Sequence, residues 1–205
     1  MDLGAYHGSW CSNTKLLEEQ LQWNGICVDM EPDDFRGRKC QVIKAAMSDV
    51  SGKQVSYTGG GQLRSINLEN NGKQSSSNTM IPSLNIPDML RQSEMPYITS
   101  ATESSSSSSS SSSYQHFIHL ISLDVEGHEL EVLSVFEFET IEVGAWIIEN
   151  NKKTTEIIEL LLRHDYKIRN VDHKGVDLYF VKDKYWDSAL LNKKLRIHPV
   201  GSWGC

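Results

Sequence analysis

Long apolar runs are missing from this 205-residue chain. No stretch of about 18 or more hydrophobic residues occurs, so no membrane-spanning helix is expected within it. No basic, apolar leader with a small-residue cleavage site opens the sequence. Cations are in deficit: 20 Lys and Arg stand against 27 Asp and Glu, a formal net charge of −7. That balance argues against a nucleic-acid partner, which needs clustered positive charge. The basic run RGRKC at 36–40 follows four acids and reads as a solvated face. Cysteines are few, and Cys11, Cys27, Cys40 and Cys205 show no CxxC or Cys/His ligand spacing, so no metal is expected. Cys27 lies in an apolar run and is expected to be a buried thiol, which fits a reducing compartment, with the cytoplasm as the default location. The GxGxxG turn of dinucleotide oxidoreductases and the GK[ST] ending of a phosphate loop are also lacking.

What is present supports one core. Hydrophobic residues make up 39% and charged residues 23%, enough for a single domain. SNTKLLEEQLQW predicts a helix capped by Ser12 or Asn13, with Leu16, Leu17 and Leu21 on one buried face and Asn24-Gly25 ending it. Ile26 to Met30 form a short strand closed by Pro32, 41–49 another strand, and a turn at Ser51-Gly52 leads to an edge strand. From 59 to 114 Gly, Ser, Asn and Gln dominate, and the serine run has no apolar partners to offset chain entropy. This insertion is expected to be a disordered, passive spacer rather than a phosphorylated segment, with one short helix within MIPSLNIPDML at 80–90. Order resumes with an apolar strand at 117–123, a turn at 124–127 and a helix at 128–136 offering Leu130, Leu133 and Val135 or Phe136 for burial. VGAWIIEN is a buried strand, TTEIIELLLRHDY a helix with Ile157, Ile158, Leu161 and Leu162 inward, and a hairpin turning at His173 to Gly175 closes the fold. Strand–helix–strand repeats with an antiparallel end predict an α/β fold with a doubly wound sheet over 1–183, interrupted at 59–114, and a tail at 184–205.

The opening DLGAYHGSWCSNTKLLEE carries the first chemical signal. Gly4 and Gly8 would let the backbone pass close to a ligand, and the following helix offers unpaired amides at its start. Glu31 closes the second strand 23 residues after Gly8. An acid there can accept two ribose hydroxyls at once. Asp29 lies on the same strand face and competes for that role; Glu31 stands nearer the strand's end. The competing reading is a helix-capping glycine turn beside a surface glutamate. Without a phosphate-binding signature, a phosphate-free nucleoside such as S-adenosylmethionine fits better than a dinucleotide.

At these residues the chain resembles FkbM-type methyltransferases. The stretch DLGAYHGSWCSNTKLLEEQLQWNGICVDMEPDDF is similar to that family's DxGAxxG turn, its SNT helix start and its W-x-G step into a strand ending in Glu-Pro. SLDVEGHELEVL at 122–133 resembles the family block on the fourth strand, and AAMSD at 45–49 its adenine-side strand end. The resemblance covers about two-thirds of the chain and implies a class I methyltransferase (Rossmann-like) fold with S-adenosyl-L-methionine as cofactor. By position it implies that Asp2, Gly4, Ala5 and Gly8 line the methionine side, that Glu31 holds the ribose, and that Ala46 and Met47 border the adenine. Asp124 and Glu126 would stand at the lip of the central strand. One of them, or His128, would accept the proton of a substrate hydroxyl. Alternatively, Asp124 and Glu126 cap the helix that follows, and His128 is a solvent-exposed residue of its first turn.

Two departures stand out. Tyr6 occupies a position where bacterial members often carry asparagine, and only Met1 precedes Asp2, so the first strand is expected to be incomplete and the chain a fragment. The implied activity is methylation of a hydroxyl on a small-molecule or glycan-like substrate. The alternative is a non-catalytic role: the eukaryotic branch includes Star-like membrane-tethered proteins that assist cargo export, where the fold serves as a binding or trafficking module, with an anchor expected upstream.

Overall fold

The computed structural model describes residues 1–58, 65–67, 80–93, 116–171 and 175–186. In chain order its elements are β1 (Asp2–Leu3), α1 (Lys15–Leu21), β2 (Ile26–Asp29), β3 (Gln41–Lys44), β4 (Ala46–Met47), β5 (Gln54–Thr58), β6 (Ser65–Asn67), β7 (Ile81–Leu84), α2 (Ile86–Gln92), β8 (His116–Leu123), α3 (Glu129–Ser134), β9 (Ile141–Glu149), α4 (Thr154–Arg163), β10 (Tyr166–Val171), β11 (Asp177–Lys182) and α5 (Asp183–Trp186). Among the described residues no helix is long and apolar enough to cross a membrane.

Seven strands form the larger sheet in the order β10-β11-β9-β8-β1-β2-β3. Neighbours are parallel from β9 through to β3, while β11 runs antiparallel to both β9 and β10. This is the doubly wound α/β sheet with an antiparallel end that the strand–helix alternation predicts. The two residues of β1 sit at its centre: Asp2 pairs with Cys27 and Ser122, and Leu3 with Val28 and Leu123. Leu3, Val28, Ile121, Leu123, Val143 and Ile148 are all buried on these strands, and Ile86, Met89, Val132, Leu133, Ile157 and Leu161 cover them from the helices. Each such side chain contributes about 1.5–3 kcal/mol of transfer free energy.

The predicted strand at 41–49 is two strands. The Ala45 amide still donates to Asp29 O at 3.0 Å beside β2. The next residues leave the large sheet, and β4 pairs with β7 in a second sheet of order β4-β7-β5-β6. There β5 is an interior strand, not an edge, because β7 and β6 flank it. Part of the span expected to lack order is also built into the fold. At 80–93 the apolar spacing yields β7 and then α2, with Asn85 capping α2 by accepting from the Asp88 amide at 2.8 Å. Ile86 and Met89 are fully buried. The serine run, the tip of the final hairpin and the tail beyond 186 lie outside the described residues.

Helix α1 reverses its expected faces. Leu16 and Leu21 are about half exposed, whereas Glu18 is buried. Arg38 is the reason. Its Nε donates to Glu18 Oε2 at 3.1 Å, Nη1 to Gly8 O at 2.7 Å and Ser12 Oγ at 3.1 Å, and Nη2 to Thr14 Oγ1 at 3.0 Å. The Lys39 amide donates to Glu18 Oε1 at 2.5 Å. The basic run is therefore split: Arg36 lies in water, with 90% of its side chain exposed, and Arg38 is internal, with 3%. The cap is Thr14 rather than Ser12 or Asn13, though Ser12 Oγ accepts from the Lys15 amide at 3.2 Å. The helix stops at Gln22, in the left-handed region with φ 57°, before Asn24-Gly25. In α4, Ile157 and Leu161 are buried as predicted, but Leu162 faces outward.

Cys27 is buried but is not a thiol: it forms a disulfide with Cys40. Cys40 immediately precedes β3, whose pairing with β2 brings the Cys40 Cα to 5.9 Å from that of Cys27, a proximity invisible in their separation along the chain. Cys11 is likewise disulfide-bonded.

Candidate functional site

Strand order reverses between β1 and β8, the place where open α/β sheets leave a crevice beyond their carboxyl ends. Two turns meet there. The Asp124 amide donates to Leu3 O at 2.9 Å, and a Cβ on Gly4 would lie 1.6 Å from Asp124 O. With φ +87°, Gly4 holds a conformation that side chains disfavour, so both geometry and space demand glycine. A Cβ on Gly8 would lie 2.4 Å from Asp34 O. Both glycines thus serve the protein's own backbone contacts.

The amides of that turn are occupied as well. Gly4 and Ala5 both donate to Val28 O (2.9 and 3.0 Å), and Gly8 donates to Asp33 O at 2.9 Å. Tyr6 donates to Asp29 Oδ2 at 2.9 Å, and the amides of Ser9 and Trp10 to His7 Nδ1. The turn therefore offers a ligand shape and steric access more than donors, unlike a phosphate-gripping loop.

The acids near the ends of β1 and β2 divide their duties. Asp2 is buried and its Oδ2 accepts from Ser12 Oγ at 3.0 Å and Thr14 Oγ1 at 2.8 Å, which ties it to the start of α1. Asp29 accepts two backbone amides, Tyr6 on Oδ2 and Glu31 on Oδ1 at 2.7 Å, so it acts as a brace between the two turns. Glu31, beyond β2, accepts from Tyr57 Oη at 2.5 Å. Ala46 and Met47 are buried on β4, at the seam where the two sheets meet.

At the lip of β8 and β9, Asp124, Glu126 and Glu149 converge, with one carboxylate oxygen of each within 4.8 Å of the others, a spacing that would also admit a metal ion. Burial, together with Glu126, Glu129, Asp177 and Asp2, pushes the Asp124 carboxyl up to about 7. Burial and the Asp124 charge push Glu149 up to about 8. Glu126 is raised too, by burial and Glu129, and holds a left-handed φ of 57°. Glu129 organises this lip. Fully buried, it accepts the amides of Val125 at 2.9 Å and Gly127 at 3.1 Å, and Asn151 donates to its other oxygen. His128 is the cap residue of α3 and makes no side-chain capping bond, so neither Asp124 nor Glu126 takes that position. It is nine-tenths buried rather than exposed, and desolvation pulls its pKa below the usual range.

The Methyltransferase FkbM domain matches residues 2–168, most of the chain. The chain belongs to the FkbM methyltransferase family. No curated protein and no solved structure matches it significantly. In this FkbM domain the match runs from the β1 turn through α4 into β10, so every residue of the crevice falls inside it. The structure brings Gly4, Ala5, Asp124 and Glu126 to one crevice, sets Glu31 beside the Tyr6–Asp29 brace, and turns Asp2 and Gly8 toward α1 and the 33–35 loop. Sequence reasoning missed Tyr57, Glu129 and Glu149. Glu129 had a readable signal, an acid at the first helical position just after a turn of free amides; Tyr57 and Glu149 had none, since each reaches the site through sheet register.

Proposed function

We propose that this FkbM domain binds S-adenosyl-L-methionine across the ends of β1, β2 and β8 and methylates a hydroxyl oxygen. Glu31 carries the reading: a carboxylate just beyond β2, held at one oxygen by a buried tyrosine, suits the two ribose hydroxyls. Asp29 is the weaker candidate because two amides already occupy its oxygens. The internally bonded turn fits a phosphate-free nucleoside, whose methionine end needs few donors. When bound, the cofactor supplies an electrophilic methyl carbon on a sulfonium. Asp124, raised to about 7, is the proton acceptor: it would take the proton of the substrate hydroxyl whose oxygen receives the methyl group that the bound cofactor would supply. Burial first, and then the Glu126 charge, keep that carboxyl's basicity high, and His128, buried with its pKa lowered by desolvation, is the alternative acceptor. Isothermal titration of the chain with S-adenosylhomocysteine is expected to give a dissociation constant in the micromolar range, lost on Glu31→Ala. No heat at high protein concentration removes the reading.

The Cys27–Cys40 disulfide favours a second reading. Disulfide-bonded folds belong to oxidising compartments, the setting of a Star-like export module that binds without turnover. That reading gains if the oxidised chain is folded yet silent toward S-adenosylhomocysteine.

A further inference from the structure

We propose that Tyr57 is a positioning residue that sets the affinity of the nucleoside site through Glu31. The inference rests on the proposed role of Glu31 as the ribose acceptor. Tyr57 lies on β5, where alternation puts Val55 and Tyr57 on the buried face. Its ring packs in a small cluster with Ala46, Val55 and Ile81, against Met30 and Ile66. Met30 is the residue just before Glu31, so the cluster reaches the end of β2 from the second sheet.

The ring is held by this packing on β5, which β7 and β6 pin from both sides. The hydroxyl therefore emerges at a fixed point and donates to Glu31 Oε1 at 2.5 Å. A hydroxyl–carboxylate bond of that length is of the stronger, charge-assisted kind. A carboxylate has about four acceptor positions, so the Tyr57 bond does not by itself exclude ribose hydroxyls, and it removes side-chain freedom that binding would otherwise have to freeze. The second sheet thereby contributes to a site that the large sheet alone would leave loose.

Titration of the full chain with S-adenosylhomocysteine tests this with four variants. Tyr57→Phe, which keeps the ring, is expected to weaken binding about tenfold. Glu31→Gln is expected to weaken it more, and Tyr57→Phe added to Glu31→Gln to cost little further, the non-additivity of a shared contact. Ile66→Ala loosens the same cluster but keeps the hydroxyl, so it is expected to lower the unfolding temperature and to weaken binding clearly less than Tyr57→Phe does. Equal loss of affinity in Ile66→Ala and Tyr57→Phe overturns the assignment by making the effect one of packing. Wild-type affinity in Tyr57→Phe with loss in Glu31→Gln also overturns it, and leaves the ribose role of Glu31 standing. Wild-type affinity in Glu31→Gln removes that role and the inference together.

Discussion

Replacing Asp124 by asparagine isolates the electrostatic burden of the crevice. The native carboxyl ionises at about 7 instead of 3.8, because it is buried among Glu126, Glu129, Asp177 and Asp2. Three pK units correspond to about 4 kcal/mol between the two protonation states. Water at the lip screens part of this, leaving about 2 kcal/mol to measure. The sign follows from proton binding: between pH 4 and 7 the folded chain holds this proton and the unfolded chain does not. The stabilisation is therefore complete below about pH 4 and is lost as pH rises through 7. The asparagine side chain of Asp124→Asn is uncharged at all of these pH values and nearly isosteric. Urea unfolding of both proteins at several pH values should show the variant gaining on wild type by about 2 kcal/mol between pH 4 and pH 8. Parallel stability profiles would refute the reasoning, since they would mean that the carboxylate is hydrated in the folded state.

Three further expectations follow from the fold. Arg38→Met, which leaves the buried Glu18 carboxylate without its cation, should lower unfolding free energy by about 3–5 kcal/mol in urea titration, while Arg36→Met should change nothing measurable. Gly4→Ala must displace the Asp124 carbonyl and should cost at least about 3 kcal/mol, whereas Gly25→Ala, with no atom within 4 Å of the new Cβ, should stay within about 0.5 kcal/mol by thermal unfolding. Cys40→Ser removes the link to Cys27 and should lower stability by about 3 kcal/mol, with no further loss of that link's contribution on adding reductant.

The middle of the large sheet was legible because β8 and β9 are long and β-branched and are followed by the amphipathic helices α3 and α4. Phe117 to Leu123 and the 141–149 strand could be little else. Glycine positions were legible as well, though their purpose was not: a glycine needed for chain-to-chain approach at Asp124 looks the same in sequence as one needed for a ligand. What escaped was everything decided by distant partners. The periodicity of α1 was read correctly, but the side that faces inward was chosen by Arg38, 20 residues on from Glu18. The split at Ala45 and the Tyr57–Glu31 bond depend on a second sheet whose pairing of β4, β7, β5 and β6 joins segments far apart in the chain.

The inside-out character of α1 has a practical side. Leu16 and Leu21 form no part of the buried core, so exchanging them for lysine or glutamine should make concentrated preparations less sticky at little thermodynamic cost. A designer guided by hydrophobic periodicity alone would do the reverse, sparing the leucines and repainting Glu18, and would strand a guanidinium in the interior.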